Sequence, residues 1–503
     1  MCKMLLALLA SAILSGALFS YLRWLKVKRY WSQRGVKSFP PNPILGNLTF
    51  LLRYDMNTWL REIHRRSKSP YVGIWLFWRP ALMVNCPKIG QRVLIKDAAL
   101  FRDKLVTSGS SDPIGKNNLF TVKDPLWSSL RRKLSLVFTS AKLRSLNGLI
   151  DMKTKELLQR IDMEMTKQKC VNIRMVFTDY TTDVIGTASL GFGGEATLTG
   201  HSLLRTVTKE FMNFSLFRSM SWIIMFFYPE WVEFFKLSAF PKTSIDCLSK
   251  IYRSVLAQRG GYENKIAGTR DLLDALIKIK QECMINNEEM SEETLIAQAA
   301  VFLQGGFDTT AKILTWSVYE LSFNVDVQEK LYNEVLEIQN MEGTDELERL
   351  SSAKYLNAVL DETLRKYAPM GWMDRVAAQD YKIDDNLTVP AGMPVYVNAI
   401  GIHYDPSIYP DPMRFMPERF LNNESTKLPN WAFGEGPRSC IGRRFALLNL
   451  RCALARLILN YEFRPTLDTP DSTKVKFDKK SLFVTASVPL LIEFSRRDLG
   501  IEI

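Results

Sequence analysis

Trp431 to Gly442 reads W-A-F-G-E-G-P-R-S-C-I-G, a single cysteine set among three glycines and an arginine. Directly after it, Phe445 to Leu459 is an apolar-periodic run that reads as a helix. A cysteine at the mouth of a helix faces free backbone N–H groups and the positive end of the dipole. Both favour thiolate over thiol. Gly434, Gly436 and Gly442 let a large flat ligand approach the backbone, because no Cβ stands in the way. Arg438 adds a fixed cationic fork suited to a carboxylate on that ligand.

Phe433, Gly436, Arg438, Cys440 and Gly442 fill the pattern F-x-x-G-x-R-x-C-x-G, which resembles the haem-binding signature of cytochrome P450 monooxygenases. The resemblance implies that Cys440 is the axial ligand of a haem b iron, with Phe433, Gly436 and Arg438 as cofactor contacts. A thiolate in that place pushes electron density onto iron and favours O–O cleavage. A lone buried cysteine is ordinarily inert packing, but five matched positions outweigh that reading. Ala432 stands where the family usually has proline, a local departure that does not touch the ligand.

Working upstream, Ser291-Glu292-Glu293 marks a helix start, and the apolar pattern runs to about Phe323 without proline. Inside it lies Gly305-Gly306-Phe307-Asp308-Thr309-Thr310. Two mid-helix glycines cost about 1 kcal/mol each. A ligand approaching closely, beside a widened turn, would require them. The segment resembles the family's oxygen-binding motif, which implies catalytic roles for Asp308 and Thr309 in proton delivery. The bland alternative is a threonine bonded back to its own helix carbonyl.

Glu362 and Arg365 form an E-x-x-R pattern that is nearly worthless alone, since it recurs at Glu62, Glu346 and Glu493. Order raises its value: it follows the oxygen motif, and Phe415-x-Pro417-Glu418-Arg419-Phe420 stands between it and Cys440. The resemblance implies a buried salt-bridge triad of Glu362, Arg365 and Arg419 behind the haem. Such a triad is costly unless every member is paired. By the same resemblance, Trp127 and Arg131 match a W-x-x-x-R pair that binds one haem propionate. Arg375 matches the contact to a second.

Met4 to Leu22 is a run of 19 uncharged, mostly apolar residues. As a helix it spans about 28 Å, close to the hydrocarbon thickness. Arg23, Lys26, Lys28, Arg29, Arg34 and Lys37 follow in a segment without acids, which places the bulk of the chain on the cytoplasmic side. A cleaved signal peptide is the competing reading, and sequons at Asn47, Asn213, Asn386 and Asn423 discriminate, since none is used in the cytosol. Pro40-Pro41-Asn42-Pro43 and Gly46 read as a stiff connector. Tyr71 to Cys86 reads as two strands around an Arg79-Pro80 turn, and Phe101 to Pro125 as a long loop. The Trp222–Phe235 block is too short and too charged to span a bilayer; by resemblance it roofs the substrate pocket and dips into lipid. Leu482 to Phe494 reads as a terminal strand pair, with Leu482 and Phe483 at its tip.

At 503 residues and 47% hydrophobic content the chain has room for a large core. Seven scattered cysteines argue against a disulfide framework, and three distant histidines against a histidine-built metal site. Six of the thirteen net positive charges sit beside the apolar run and the rest are interleaved with acids, so nucleic acid is not the partner.

The fold expected is mostly α (α+β), a haem-thiolate fold with a small β-rich part: a membrane anchor over 1–22, a basic and proline-rich hinge over 23–48, and a monooxygenase domain over 49–503. Anchor and hinge imply the microsomal type, in the endoplasmic reticulum membrane. Leu136 to Leu143 and the cysteine stretch look closest to insect detoxification members. The implied reaction inserts one atom of O₂ into an apolar substrate, a xenobiotic or an endogenous hormone or lipid. The resemblance further implies electrons from NADPH through a separate flavoprotein reductase, with cytochrome b5 as a second partner; the chain itself has no dinucleotide fingerprint. A haem-thiolate isomerase or dehydratase acting on peroxides and a non-catalytic haem protein are the alternatives.

Overall fold

The computed structural model describes residues 2–50, 54–213, 215–264, 270–342, 346–421 and 428–497. The sequon at Asn423 lies outside them. Asn47 is buried, its Oδ1 accepting the Trp75 N–H at 2.8 Å, which leaves Asn213 and Asn386 exposed.

The architecture is mostly helical with a small β-rich part. Its axis is the 32-residue helix Glu292–Phe323, capped by Ser291, whose Oγ accepts the Thr294 N–H at 3.1 Å. Both ends agree with the sequence reading. Most of this helix is buried on every side, so its stability comes from packing rather than from an amphipathic stripe. The helix Ile173–Leu190 lies along it and is nearly as buried. The widened turn expected at the glycines is absent: the backbone there is continuous α-helix. Side chains instead tap its carbonyls, Thr181 Oγ1 donating to Phe307 O at 2.9 Å.

The main sheet has four strands in the order Tyr71–Leu76, Arg79–Val84, Pro394–Val397, Met373–Val376. Its first turn is at Phe77-Trp78, not at Arg79-Pro80. Phe77 takes a positive φ of 55°, and Pro80 pairs opposite Trp75 inside the second strand. Proline is tolerated there because pairing to the third strand begins only at Leu82, so no ladder bond is lost. The expected terminal strand pair is also rearranged. Leu491–Arg496 pairs with Tyr461–Pro465, directly after the helix Arg443–Asn460, and Val171–Asn172 joins its other edge. Leu482 and Phe483 lie in the turn before it. The 101–125 loop holds one short helix, Pro113–Asn117.

At the N-terminus, Cys2–Lys28 is one helix, long and apolar enough to cross a membrane and exposed from Leu8 through Leu22. Its far end is tied to the sheet: Trp75 Nε1 donates to Val27 O at 3.1 Å, and the Trp24 and Trp78 rings lie 6.0 Å apart. The proline connector is docked too. Gly73 N–H donates to Lys37 O at 2.9 Å, and Trp78 Nε1 to Pro43 O at 2.7 Å.

Candidate active site

The central helix, the cysteine loop and the strand Met373–Val376 enclose a cavity of about 370 Å³. Of the site residues read from sequence, Cys440, Phe433, Arg438, Trp127, Arg131, Arg375, Asp308 and Thr309 all line it. Gly436 does not.

The cysteine loop is folded by its own glycines. Gly434 and Gly436 hold φ of 69° and 71°, which side-chain-bearing residues rarely adopt, and the Cys440 N–H closes onto Phe433 O at 2.8 Å. Gly436 packs against protein rather than ligand, since a Cβ there would meet Leu94 O at 1.8 Å. Cys440 precedes the helix Arg443–Asn460 and is exposed, and the space it faces is the cavity. Burial pushes its thiol above the usual range, against the Gly442 N–H, Arg131, Lys104 and Arg443, which pull it down. The helix mouth therefore acts as expected but is outweighed by desolvation, so the free cysteine is a thiol. A metal bound at the sulfur would favour the thiolate.

Cations crowd one edge of the cavity. Arg438 lies over the Trp127 ring at 4.0 Å and donates to Arg102 O at 2.8 Å and Val122 O at 3.1 Å. Its Nη1 is buried and has no partner among the described residues. Burial lowers it to about 10 and lowers Arg131 and Arg375 as well. Lys104, which sequence reasoning missed, projects over the Phe120 ring at 3.5 Å, with burial holding its ammonium well below its ordinary range. Asp374 is the buried carboxylate of this group. Its Oδ2 accepts the Leu105 N–H at 2.7 Å and its Oδ1 has no partner among the described residues. No pattern in the chain marks Lys104 or Asp374 beforehand.

The opposite wall is the central helix. A Cβ on Gly305 would meet nothing within 4 Å, whereas one on Gly306 would lie 2.4 Å from Ile185 Cγ1. Only the first glycine leaves room in the cavity; the second lets two helices touch. Thr309 Oγ1 donates to Gly305 O at 2.6 Å, the back-bonded geometry weighed as the bland alternative, while still facing the cavity. Asp308 is buried between Arg174 and Lys312, 2.6 Å from each. Burial raises its carboxyl, but the two cations outweigh it and hold it below the usual carboxylate range. The remaining lining is strongly aromatic, including Phe120, Phe138, Trp222, Phe226, Phe302 and Phe483.

Behind the cysteine loop, Arg365 Nε and Nη2 grip Glu362 at 2.7 and 2.9 Å, and Arg419 Nε reaches the same carboxylate at 3.2 Å. Their spare donors go to backbone carbonyls of His403, Pro412 and Asp411. His403 carries the connection forward: Nδ1–H donates to Arg365 O at 3.1 Å, and Nε2 accepts the Trp431 N–H at 2.9 Å. Burial first, and then Arg365, hold it neutral, with a pKa of about 3.

A flat dianionic macrocycle such as haem fits this cavity on three observations. A thiol stands at one wall with open helix opposite; four basic side chains gather at one edge; and the Arg438 Nη1 donor lacks an acceptor among the described residues.

The family model described as Cytochrome P450 matches residues 36–494. The chain is 31% identical over 513 residues to cytochrome P450 6k1 of Blattella germanica, covering 96% of each. It is 30% identical to probable cytochrome P450 6g2 of Drosophila melanogaster, covering 94% of this chain and 95% of that one. With probable cytochrome P450 6a18 of the same fly it shares 32% identity, over 92% and 94%.

Proposed function

The chain belongs to the cytochrome P450 family and is a haem-thiolate monooxygenase, and on that premise we propose that it oxidises apolar, ring-bearing small molecules at the membrane surface. The observation that carries this reading is the one cavity across which Cys440 faces Gly305 and Thr309 through an aromatic-lined space. When bound, haem supplies the iron at which O₂ is reduced and one of its atoms is passed to the substrate.

The chain's own residues do the rest. Cys440 ligates the metal; Arg131, Arg375, Arg438 and Lys104 hold the carboxylates of the cofactor. Phe120, Phe138, Phe302 and Phe483 exclude water and orient a flat apolar substrate by stacking. Thr309 spends its proton on Gly305 O, so its oxygen accepts from a water in the cavity. Asp308 passes protons to that water. Glu362, Arg365 and Arg419 keep the cysteine loop in register through His403.

Electrons come from NADPH through a separate flavoprotein reductase, with cytochrome b5 as a second donor. The Cys2–Lys28 helix anchors the protein in the endoplasmic reticulum membrane, with residues 49–503 on the cytoplasmic side. A panel of steroids, fatty acids, terpenoids and insecticides, followed by optical binding spectra, tests the substrate class. Ring-bearing members should bind tightest and be oxidised with NADPH and reductase. Turnover with hydroperoxide alone, and none with NADPH and reductase, would favour an isomerase instead.

A further inference from the structure

Lys312 is the one charged side chain between Thr309 and Tyr319, in the most buried part of the central helix. A buried lysine is costly unless paired, and its Nζ lies 2.6 Å from Asp308 Oδ2, one turn back. Asp308 did not need it. Its other oxygen already takes the Arg174 guanidinium at 2.6 Å, which neutralises the carboxylate. The second cation leaves a buried cluster with net positive charge. The charged groups facing Lys312 are Asp308 on its own helix and Arg174 from the helix Ile173–Leu190. From the third side comes the Phe483 ring, 5.2 Å away.

Asp308 and Thr309 line the cavity; Lys312 stands just behind them. Arg174 also lines, with Thr315, Trp316 and residues 485–490, a separate cleft of about 280 Å³. The ion cluster thus touches both spaces, the cavity through Asp308 and the cleft through Arg174.

We propose that Lys312 is the acid behind oxygen reduction in this cavity, with Asp308 as its relay and Arg174 as the fixed counter-cation. This rests on the monooxygenase reading above. Each turnover consumes one O₂, two electrons and two protons; one oxygen atom enters the substrate and the other leaves as water. The electrons come from the reduced flavoprotein. Each proton leaves Lys312 as an N–H bond breaks, crosses the Asp308 carboxyl to a cavity water, and is replaced from cleft water. Asp308 alone cannot be the reservoir, because its two cations keep it ionised at neutral pH. Burial brings Lys312 down to about 8, which makes its proton available.

Arginine separates an acid from a structural lock, since it keeps the cation and the pairing but does not deprotonate. With 7-ethoxycoumarin as probe, Lys312→Arg and Lys312→Met should both consume NADPH while product per NADPH falls about tenfold and hydrogen peroxide rises. Turnover driven by cumene hydroperoxide should persist. Wild-type product per NADPH in Lys312→Arg would overturn the proposal and leave a lock. Thermal unfolding gives a readout apart from activity. The unfolded chain binds more protons than the native one between about pH 8 and 10.5, so this lysine makes stability rise with pH across that window. Tm of wild type should climb relative to both variants there; parallel curves would contradict the proposal. If neither variant folds, lysine side-chain NMR of the wild type decides, with titration near 8 supporting the acid and protonation beyond 10 excluding it. A wild type lacking a thiolate-type carbon monoxide complex would fail the premise, not the relay.

Discussion

Gly305 and Gly306 stand side by side in one helix and answer to different neighbours. Their pairing is what the sequence makes visible; the division between them is not, because it depends on Ile185 arriving from another helix. Gly306→Ala should destabilise by about 1–3 kcal/mol, the range for overpacking a tight contact. Gly305→Ala should be as stable as wild type or better by up to about 1 kcal/mol from helix propensity. Because its methyl enters the cavity, carbon monoxide should bind more weakly. Denaturant unfolding beside a carbon monoxide titration separates the two effects. Cys440 and Arg438 were legible because a rigid loop demands fixed residues at fixed spacing. Lys104 and Arg174 were not, since each reaches the site from a segment with no such constraint. Lys312 left a trace, a lone charge in an apolar run, that gains meaning only beside Asp308.

Elements carry a second kind of information. The central helix was readable to both ends because a cap, an apolar run and the absence of proline all act locally. The strands were placed less well, since pairing is decided by distant partners. Pro80 looked like a turn until the third strand proved to begin at Leu82, and Leu491–Arg496 found its partner about 30 residues upstream. The helix Lys354–Lys366 shows what such distant contacts hold up. Glu362→Ala should leave Arg365 buried and unpaired, at a cost of about 3–5 kcal/mol, and the variant should fail to retain haem. His403 predicts a pH effect of definite sign. Its folded pKa of about 3 lies below the ordinary 6.5, so the unfolded chain takes up the proton first as pH falls. Stability should be full above pH 6.5 and decline toward pH 3, by at most about 5 kcal/mol from this group. His403→Asn should flatten that part of the curve in acid unfolding.

At the scale of the whole molecule the question is which faces meet membrane and partner. The Trp222–Phe227 half of the aromatic block proves to be largely buried against the cavity. The exposed apolar residues are its flanks, Leu216, Phe217, Trp231, Phe234 and Phe235. Such a patch binds an interface without spanning it. Deleting residues 1–22 should leave a protein that sediments with vesicles and is released by carbonate; full solubility would remove the second contact. On the cysteine side, Arg132, Arg443 and Arg444 are exposed, whereas Lys133 is 3.7 Å from both Glu282 and Glu288. Reversing Arg132 and Arg443 to glutamate should slow the first electron from the reductase at low salt and leave substrate binding alone.

All of this depends on one proposed bond, between the Cys440 sulfur and the iron of a bound haem. The most direct measurement is the carbon monoxide spectrum of the reduced protein, taken on wild type and on Cys440→Ser. The wild type should give the band of a thiolate-ligated haem, and the serine variant should lose it. A thiolate-type band that survives the substitution would mean that another residue holds the iron.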